Sequence, residues 1–191
     1  MKKIILASQS PRRKQLLEWA EIDFDVITSE ITEDWPEGMP LNEIPIHIAR
    51  NKALDVKKSD SFYTYPTDTP IVAADTVVII QDKILGKPAS RDEAIFMLSS
   101  LSGRSHHVIT GVVILKGEDE YAFAETTEVN FHDLSKQEIE NYVDQYKPFD
   151  KAGSYAIQEW IGVVGIKGIH GDFYNVMGLP VSRVVRLLYS L

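Results

Sequence analysis

The residues best equipped for chemistry stand near the start of the chain. Ser8-Gln9-Ser10-Pro11-Arg12-Arg13 follows a short apolar run and combines two hydroxyls, a helix-capping serine, a proline suited to the first helical position and two guanidiniums. Free amides at a helix start favour an anion, and adjacent arginines would draw a polyphosphate to the same place. Cations ordinarily favour the last turn, so two arginines in the first turn of an acidic protein oppose the helix dipole unless an anion visits. Successive helical residues diverge by about 100°, which lets Arg12 and Arg13 face one ligand but not Lys14 as well. The competing reading is a solvated basic start paired with acidic neighbours such as Glu18.

Asp75 interrupts the apolar run Ile71 to Ile80. A carboxylate inside a buried strand must be paired, hydrogen-bonded or metal-bound, because its desolvation otherwise costs several kcal/mol. The alternative is a kink that exposes it at a sheet edge. Lys52 projects from a helical pattern, Lys87 follows Gly86 in a turn, and Glu33 sits in an acidic loop with Glu30 and Asp34; taken alone, each reads equally as surface. His107 reads as a hydrogen-bonded strand residue, and no second histidine is spaced for zinc. Asp150-Lys151-Ala152-Gly153 reads as an ion-paired turn, and the amide of Gln158 suits any buried polar group.

The elements that must position these groups are legible in outline. Ile4 to Ala7 is a short strand leading into a helix through Leu17 to Ala20, and Phe24, Val26 and Ile27 suggest a second strand. Ile46, Ala49, Ala53 and Val56 line one face of a helix around 42–57. A loop is expected over Asp60 to Pro70, and a central strand over Ile71 to Ile80. Ser90 with Glu93, and Ser135 with Glu138, form capping-box patterns before two further helices. His107 to Leu115 and Tyr121 to Phe131 flank the hairpin signal Lys116 to Asp119. Gly162, Gly165, Gly168 and Gly171 recur every third residue among apolar neighbours and suggest a twisted hairpin. Pro180 opens a final helix with an apolar face of Val181, Val184, Val185 and Leu188. With no repeat and no linker, the expectation is one mixed α/β domain over 1–191.

Composition removes several classes. The 191 residues are 44% hydrophobic, enough for a full core, and a net charge of −8 is the wrong sign for a duplex DNA binder. No cysteine is present, which excludes disulfides, thiolate catalysis and thiolate-held metals. Met1-Lys2-Lys3 imitates a secretory start, but the apolar run after it stops at Ser8, and nothing approaches the roughly 18 apolar residues of a membrane span. A cytoplasmic protein with neither a membrane nor a nucleic-acid partner is expected. Walker, dinucleotide-binding, zincin and serine-hydrolase motifs are all missing.

Taken together, the motifs resemble the Maf family of nucleoside triphosphate pyrophosphatases, first associated with septum formation. The similarity rests on Leu6-Ala-Ser-Gln-Ser-Pro-Arg-Arg13, Ala49-Arg-Asn-Lys-Ala53, Ala74-Asp-Thr-Val77, Gly86-Lys-Pro88, Leu101-Ser-Gly103 with His107 and Thr110-Gly111, Asp150-Lys-Ala-Gly153, Ile157-Gln158 and Gly178-Leu-Pro180. It implies an elongated mixed sheet with flanking helices, two lobes around a cleft, akin to inosine triphosphate pyrophosphatases of the Maf/Ham1 type, and commonly a homodimer. It also implies cleavage of a nucleoside triphosphate to the monophosphate and pyrophosphate with a divalent cation, Mg²⁺ or Mn²⁺. The family's proton acceptor falls on Asp75 and its other polar site residues on Ser8, Arg12, Arg13, Glu33, Lys52 and Lys87. Asp75 and Glu33 would hold the metal, while Lys52, Lys87 and the arginines would neutralise phosphate charge. Arg12, Thr76 and Gln158 match the branch acting on dTTP and UTP, whose bases present an N–H beside a carbonyl that a glutamine amide can meet. Glu159-Trp160 stands where the family often carries a glycine, and Tyr146-Lys147-Pro148 replaces a more usual Gly-Glu-Pro. Two other functions compete: a nucleotide-binding regulatory protein linked to cell division, and a pyrophosphatase for noncanonical purine triphosphates.

Overall fold

A computed structural model describes residues 3–191; Met1 and Lys2, part of the leader-like start, lie outside the described residues. In chain order the elements begin with β1 (Ile4–Leu6), α1 (Pro11–Trp19), β2 (Phe24–Val26) and α2 (Ile44–Lys57). Next come β3 (Ile71–Ile80), β4 (Lys83–Leu85), α3 (Arg91–Leu101), β5 (Ser105–Lys116) and β6 (Asp119–Phe131). The last are α4 (Lys136–Tyr146), α5 (Trp160–Gly165), β7 (Ile166–His170), α6 (Phe173–Met177) and α7 (Val181–Ser190). The strands form a mixed sheet in the order β2-β1-β3-β5-β6-β7, with β4 paired to β3. β1 runs parallel to β2 and β3, whereas β4 is antiparallel to β3 and β7 to β6.

The chain divides into two compact units, one of Met1–Asp75, Thr110–Glu125 and Gly178–Leu191, the other of Thr76–Ile109 and Thr126–Met177. In the first, β1 is wholly buried and packs with α2 through Ile5, Ala7, Ala49, Ala53, Val56, Ile71 and Val113. Gly111 makes that packing possible. A Cβ there would lie 2.3 Å from the Ile46 nitrogen and the Pro45 carbonyl carbon, so only glycine lets the first turn of α2 close on β5. In the second unit, α3 and α4 cover the strands through Leu98, Leu101, Ile139, Tyr142 and Val143, against Val78, Val108, Val129 and Phe131.

Most local expectations hold. Ser10 caps α1 by accepting from the Arg13 amide, and Ser135 and Glu138 form the reciprocal capping box of α4. Four readings change. Ser90 accepts from the Glu93 amide, but Glu93 takes its own hydrogen bond from the Ala89 amide at 2.7 Å, so the second half of that box is missing. The loop 60–70 contains a 3₁₀ turn, Phe62–Thr64, because Phe62 is buried. The glycine series is no hairpin: Gly162 and Gly165 belong to α5, Gly168 to β7 and Gly171 to the turn after it. Glu159 starts that helix by accepting from the Gly162 and Val163 amides. Finally, the buried and hydrogen-bonded histidine is His106, whereas His107 points to solvent. The His106 Nε2 lies 2.7 Å from the Tyr155 hydroxyl, and burial, aided by the charge of His107, pulls the His106 pKa down to about 3.

Candidate active site

Asp75 is 7% exposed within β3, which has β1 and β5 as neighbours, so the edge-kink alternative is excluded. Its partner is Lys52. The Lys52 Nζ donates to Asp75 Oδ1 at 2.8 Å and to Glu33 Oε1 at 2.6 Å. One ammonium from α2 thus bridges a carboxylate in the sheet and a carboxylate from the loop after β2. The side chains of Lys52 and Asp75 are 12% and 11% exposed, whereas that of Glu33 is 40% exposed. The bridge therefore runs from the interior to the surface.

The start of α1 supplies a second group. Arg13 is buried; its Nε donates to the Gly178 carbonyl at 2.7 Å and its Nη1 to Ser8 Oγ at 3.1 Å. Ser8 Oγ also accepts from the Ser10 amide. Burial draws the Arg13 guanidinium below its ordinary value; the negative charge of Asp75 opposes this, Arg12 adds to it, and Glu33 also opposes it. The guanidinium stays charged. The pairing with Glu18 is not the environment of this residue. Arg12, the next residue toward the helix start, is half-buried. Ser8, Arg12, Arg13, Glu33, Lys52 and Asp75 all belong to the first unit, where hydrogen bonds and charge link them.

Thr76, Lys87 and Gln158 belong to the second unit. Thr76 follows Asp75 on β3 and is half-buried, and Lys87 and Gln158 are exposed. The Gly86 carbonyl before Lys87 accepts from the Gly153 amide at 3.0 Å, which ties the Gly86-Lys-Pro88 and Asp150-Lys-Ala-Gly153 segments together. Two features were missed from sequence. His106 shares its strand parity with the buried Val108, Thr110, Val112 and Ile114, but Ile109, Val113 and Leu115 on the other face are buried too, so alternation separates it from His107 only at the exposed start of β5. The ion pair of Lys151 with Glu159, at 3.4 Å, left no spacing signal.

These groups define a class: an α/β protein with two carboxylates joined through a lysine and with arginines at a helix start, equipped to meet an anion and a hard cation. The family model described as Maf-like protein matches residues 3–191, and the chain belongs to that family. It is 51% identical to a dTTP/UTP pyrophosphatase of Cytophaga hutchinsonii over 95% of this chain and 81% of that one. It is 47% identical to one of Parabacteroides distasonis, covering 97% and 94%. It is also 50% identical to one of Halalkalibacterium halodurans, covering 98% and 95%. Among solved structures it is similar to the Ham1 protein of Staphylococcus aureus, at 15% identity and a TM-score of 0.41 over 69% of this chain and 73% of that one.

Proposed function

We propose that the chain hydrolyses dTTP and UTP to the nucleoside monophosphate and pyrophosphate. The observation that carries this reading is the Glu33–Lys52–Asp75 bridge, which holds a buried carboxylate in the sheet next to a shared cation. The names of relatives about half identical to this chain support the substrate. Asp75 takes a proton from water as the water oxygen bonds to the α-phosphorus and the bond from that phosphorus to the β-phosphate's bridging oxygen breaks. Lys52, Arg12 and Arg13 offset the charge that gathers on the departing pyrophosphate. Ser8 and the Gly178 carbonyl hold the Arg13 fork in place.

The residues fit a divalent cation of the Mg²⁺ or Mn²⁺ kind. Glu33 and Asp75 offer two hard oxygen donors, and among the described residues no group of three His, Cys, Asp or Glu could hold a metal ion. Mg²⁺ commonly uses one or two carboxylates and fills the rest of its shell with phosphate oxygens and water. When bound, such an ion would neutralise phosphate charge and polarise the reacting centre.

On the family resemblance, Lys87 enters as a catalytic residue that neutralises phosphate charge, and Thr76 and Gln158 enter as substrate-binding residues, Gln158 as the reader of the base. The uninterrupted family match supports one pyrophosphatase domain over 1–191. A cytoplasmic homodimer rests on the same resemblance. Among the described residues, no helix is long and apolar enough to cross a membrane.

Purified protein assayed against dTTP, UTP, CTP and deaminated purine triphosphates, with pyrophosphate and orthophosphate measured separately, tests the reading. Pyrophosphate from dTTP and UTP, abolished by excess chelator, is expected. Orthophosphate alone overturns the bond assignment, a deaminated-purine preference moves the chain to house-cleaning, and tight binding without turnover makes it a regulator. Gln158→Glu should lower kcat/KM for dTTP and UTP at least tenfold, since two acceptors would face a carbonyl and an unmet hydrogen bond costs about 1–3 kcal/mol. An unchanged value would show that Gln158 does not read the base.

A further inference from the structure

Glu159 occupies the N-cap position of α5 with an extended backbone, φ −93° and ψ 178°, yet its side chain makes no capping hydrogen bond. Its carboxylate turns inward instead. The Tyr142 hydroxyl donates to Oε2, and Oε1 lies 3.4 Å from the Lys151 ammonium, which also donates to Asp150 Oδ1 at 2.7 Å. Tyr142 and Lys151 are 1% and 8% exposed. Burial, reinforced by the hydrogen bond and charge of Glu159, pushes the Tyr142 phenol well above its ordinary value, so it remains the donor. The side chains of Lys151, Glu159 and Asp150 are 9%, 22% and 59% exposed, so the buried ammonium is met by carboxylates that reach toward the surface. The helix that Glu159 begins gains no cap from it. What the contact does fix is the backbone at 159.

The backbone on the other side of Gln158 is held as firmly. Ile157 is 5% exposed, and a Cβ on Gly162 would fall 1.7 Å from the Ile157 carbonyl oxygen, so α5 closes directly on that peptide. The Glu159 amide donates to the Ala156 carbonyl at 3.1 Å, and the Glu159 carbonyl accepts from Gly162 at 2.9 Å and Val163 at 3.2 Å. Gln158 is the exposed residue between the buried Ile157 and the half-buried, hydrogen-bonded Glu159.

We propose that Glu159, held by Tyr142 and Lys151, is a positioning residue that fixes the direction of Gln158 and thereby sets discrimination among pyrimidine bases. This rests on the reading of Gln158 as the base-reading residue. A glutamine amide can turn over to suit cytosine as well as uracil. It discriminates only when its approach is constrained, because hydrogen bonds weaken steeply with misalignment.

The test pairs an exchange measurement with a selectivity measurement. In Glu159→Ala, hydrogen exchange at the 159, 162 and 163 amides should rise at least tenfold. The Leu134 amide, which donates to Ser102 Oγ in the same unit, should keep its rate. The ratio of kcat/KM for dTTP over CTP should fall at least fivefold, with kcat on dTTP within threefold of wild type. Glu159→Gln keeps an oxygen acceptor for Tyr142 and should retain most of both properties. Tyr142→Phe keeps the buried ring but loses the donor, so it should reproduce the alanine variant, and it carries the test if that variant fails to fold. Unchanged exchange in folded variants overturns the proposal, as does an equal rise at Leu134, which would mark a general loss of stability. Faster local exchange with an unchanged ratio overturns the link to base choice. A wild-type protein that cleaves neither dTTP nor UTP sinks the functional reading instead, and exchange alone then decides whether Glu159 holds the segment.

Discussion

Asp75→Asn should lower turnover by about 10² or more, the usual contribution of a positioned general base, while the fold and nucleotide binding survive. The amide nearly matches the carboxylate in shape, but it is neither a base nor an anion. The local structure tolerates the change because Lys52 keeps its contact with Glu33 at 2.6 Å, and an amide oxygen can still accept from Nζ where Asp75 Oδ1 now does. Pyrophosphate release under saturating dTTP, read beside nucleotide affinity and the melting temperature, separates the roles. A variant that binds and turns over within threefold of wild type would make Asp75 a structural charge.

Lys52→Met should damage both activity and stability. The thioether fills much of the space of the lysine stem but leaves Asp75, 11% exposed in its side chain, without its cation. Removing one partner of a buried pair typically costs about 3–5 kcal/mol, which corresponds to a fall of roughly 6–20 °C in melting temperature for a chain of this size. Turnover should drop at least 10²-fold, because the charge that would face the phosphates is gone. Lys52→Arg should not restore it, since a planar fork cannot replace an ammonium shared between two carboxylates. The double variant Lys52→Met with Asp75→Asn should recover most of the lost melting temperature and none of the activity, because it removes the stranded charge along with the base. A single Lys52→Met variant as stable as wild type would show that Asp75 finds its compensation elsewhere.

How far the chain could be read in advance depended on the range of the interaction involved. The bounds of β3 and the capping box of α4 are set by neighbours within a few residues, and both appear as the residue pattern implies. Asp75 could be singled out because a lone carboxylate among Val, Ile and Ala is conspicuous. That it meets Lys52 could not be read, since the two stand 23 positions apart, one on α2 and one on β3, and no spacing rule links them. Arg12 and Arg13 were treated alike, whereas the structure buries Arg13 on the Gly178 carbonyl and leaves Arg12 half-exposed; the difference comes from a segment 165 positions away. The glycines from 162 to 171 misled because period three fits several backbones. The close approach of Gly162 to Ile157 is visible only once the chain has folded back.

The reach of Arg13 to Gly178 also bears on how the protein is made. The first unit is assembled from three separate stretches, up to Asp75, Thr110–Glu125 and Gly178–Leu191, whereas the second reaches no further than Met177. Until the Gly178 carbonyl arrives, the Arg13 guanidinium lacks its 2.7 Å acceptor. Sequestering an arginine without that acceptor is unfavourable, so the buried setting of Arg13 is complete only after residue 178 has been added. Nascent chains stalled short of residue 178 would hold the Arg13 guanidinium without that carbonyl, although Ser8 is already in place beside it.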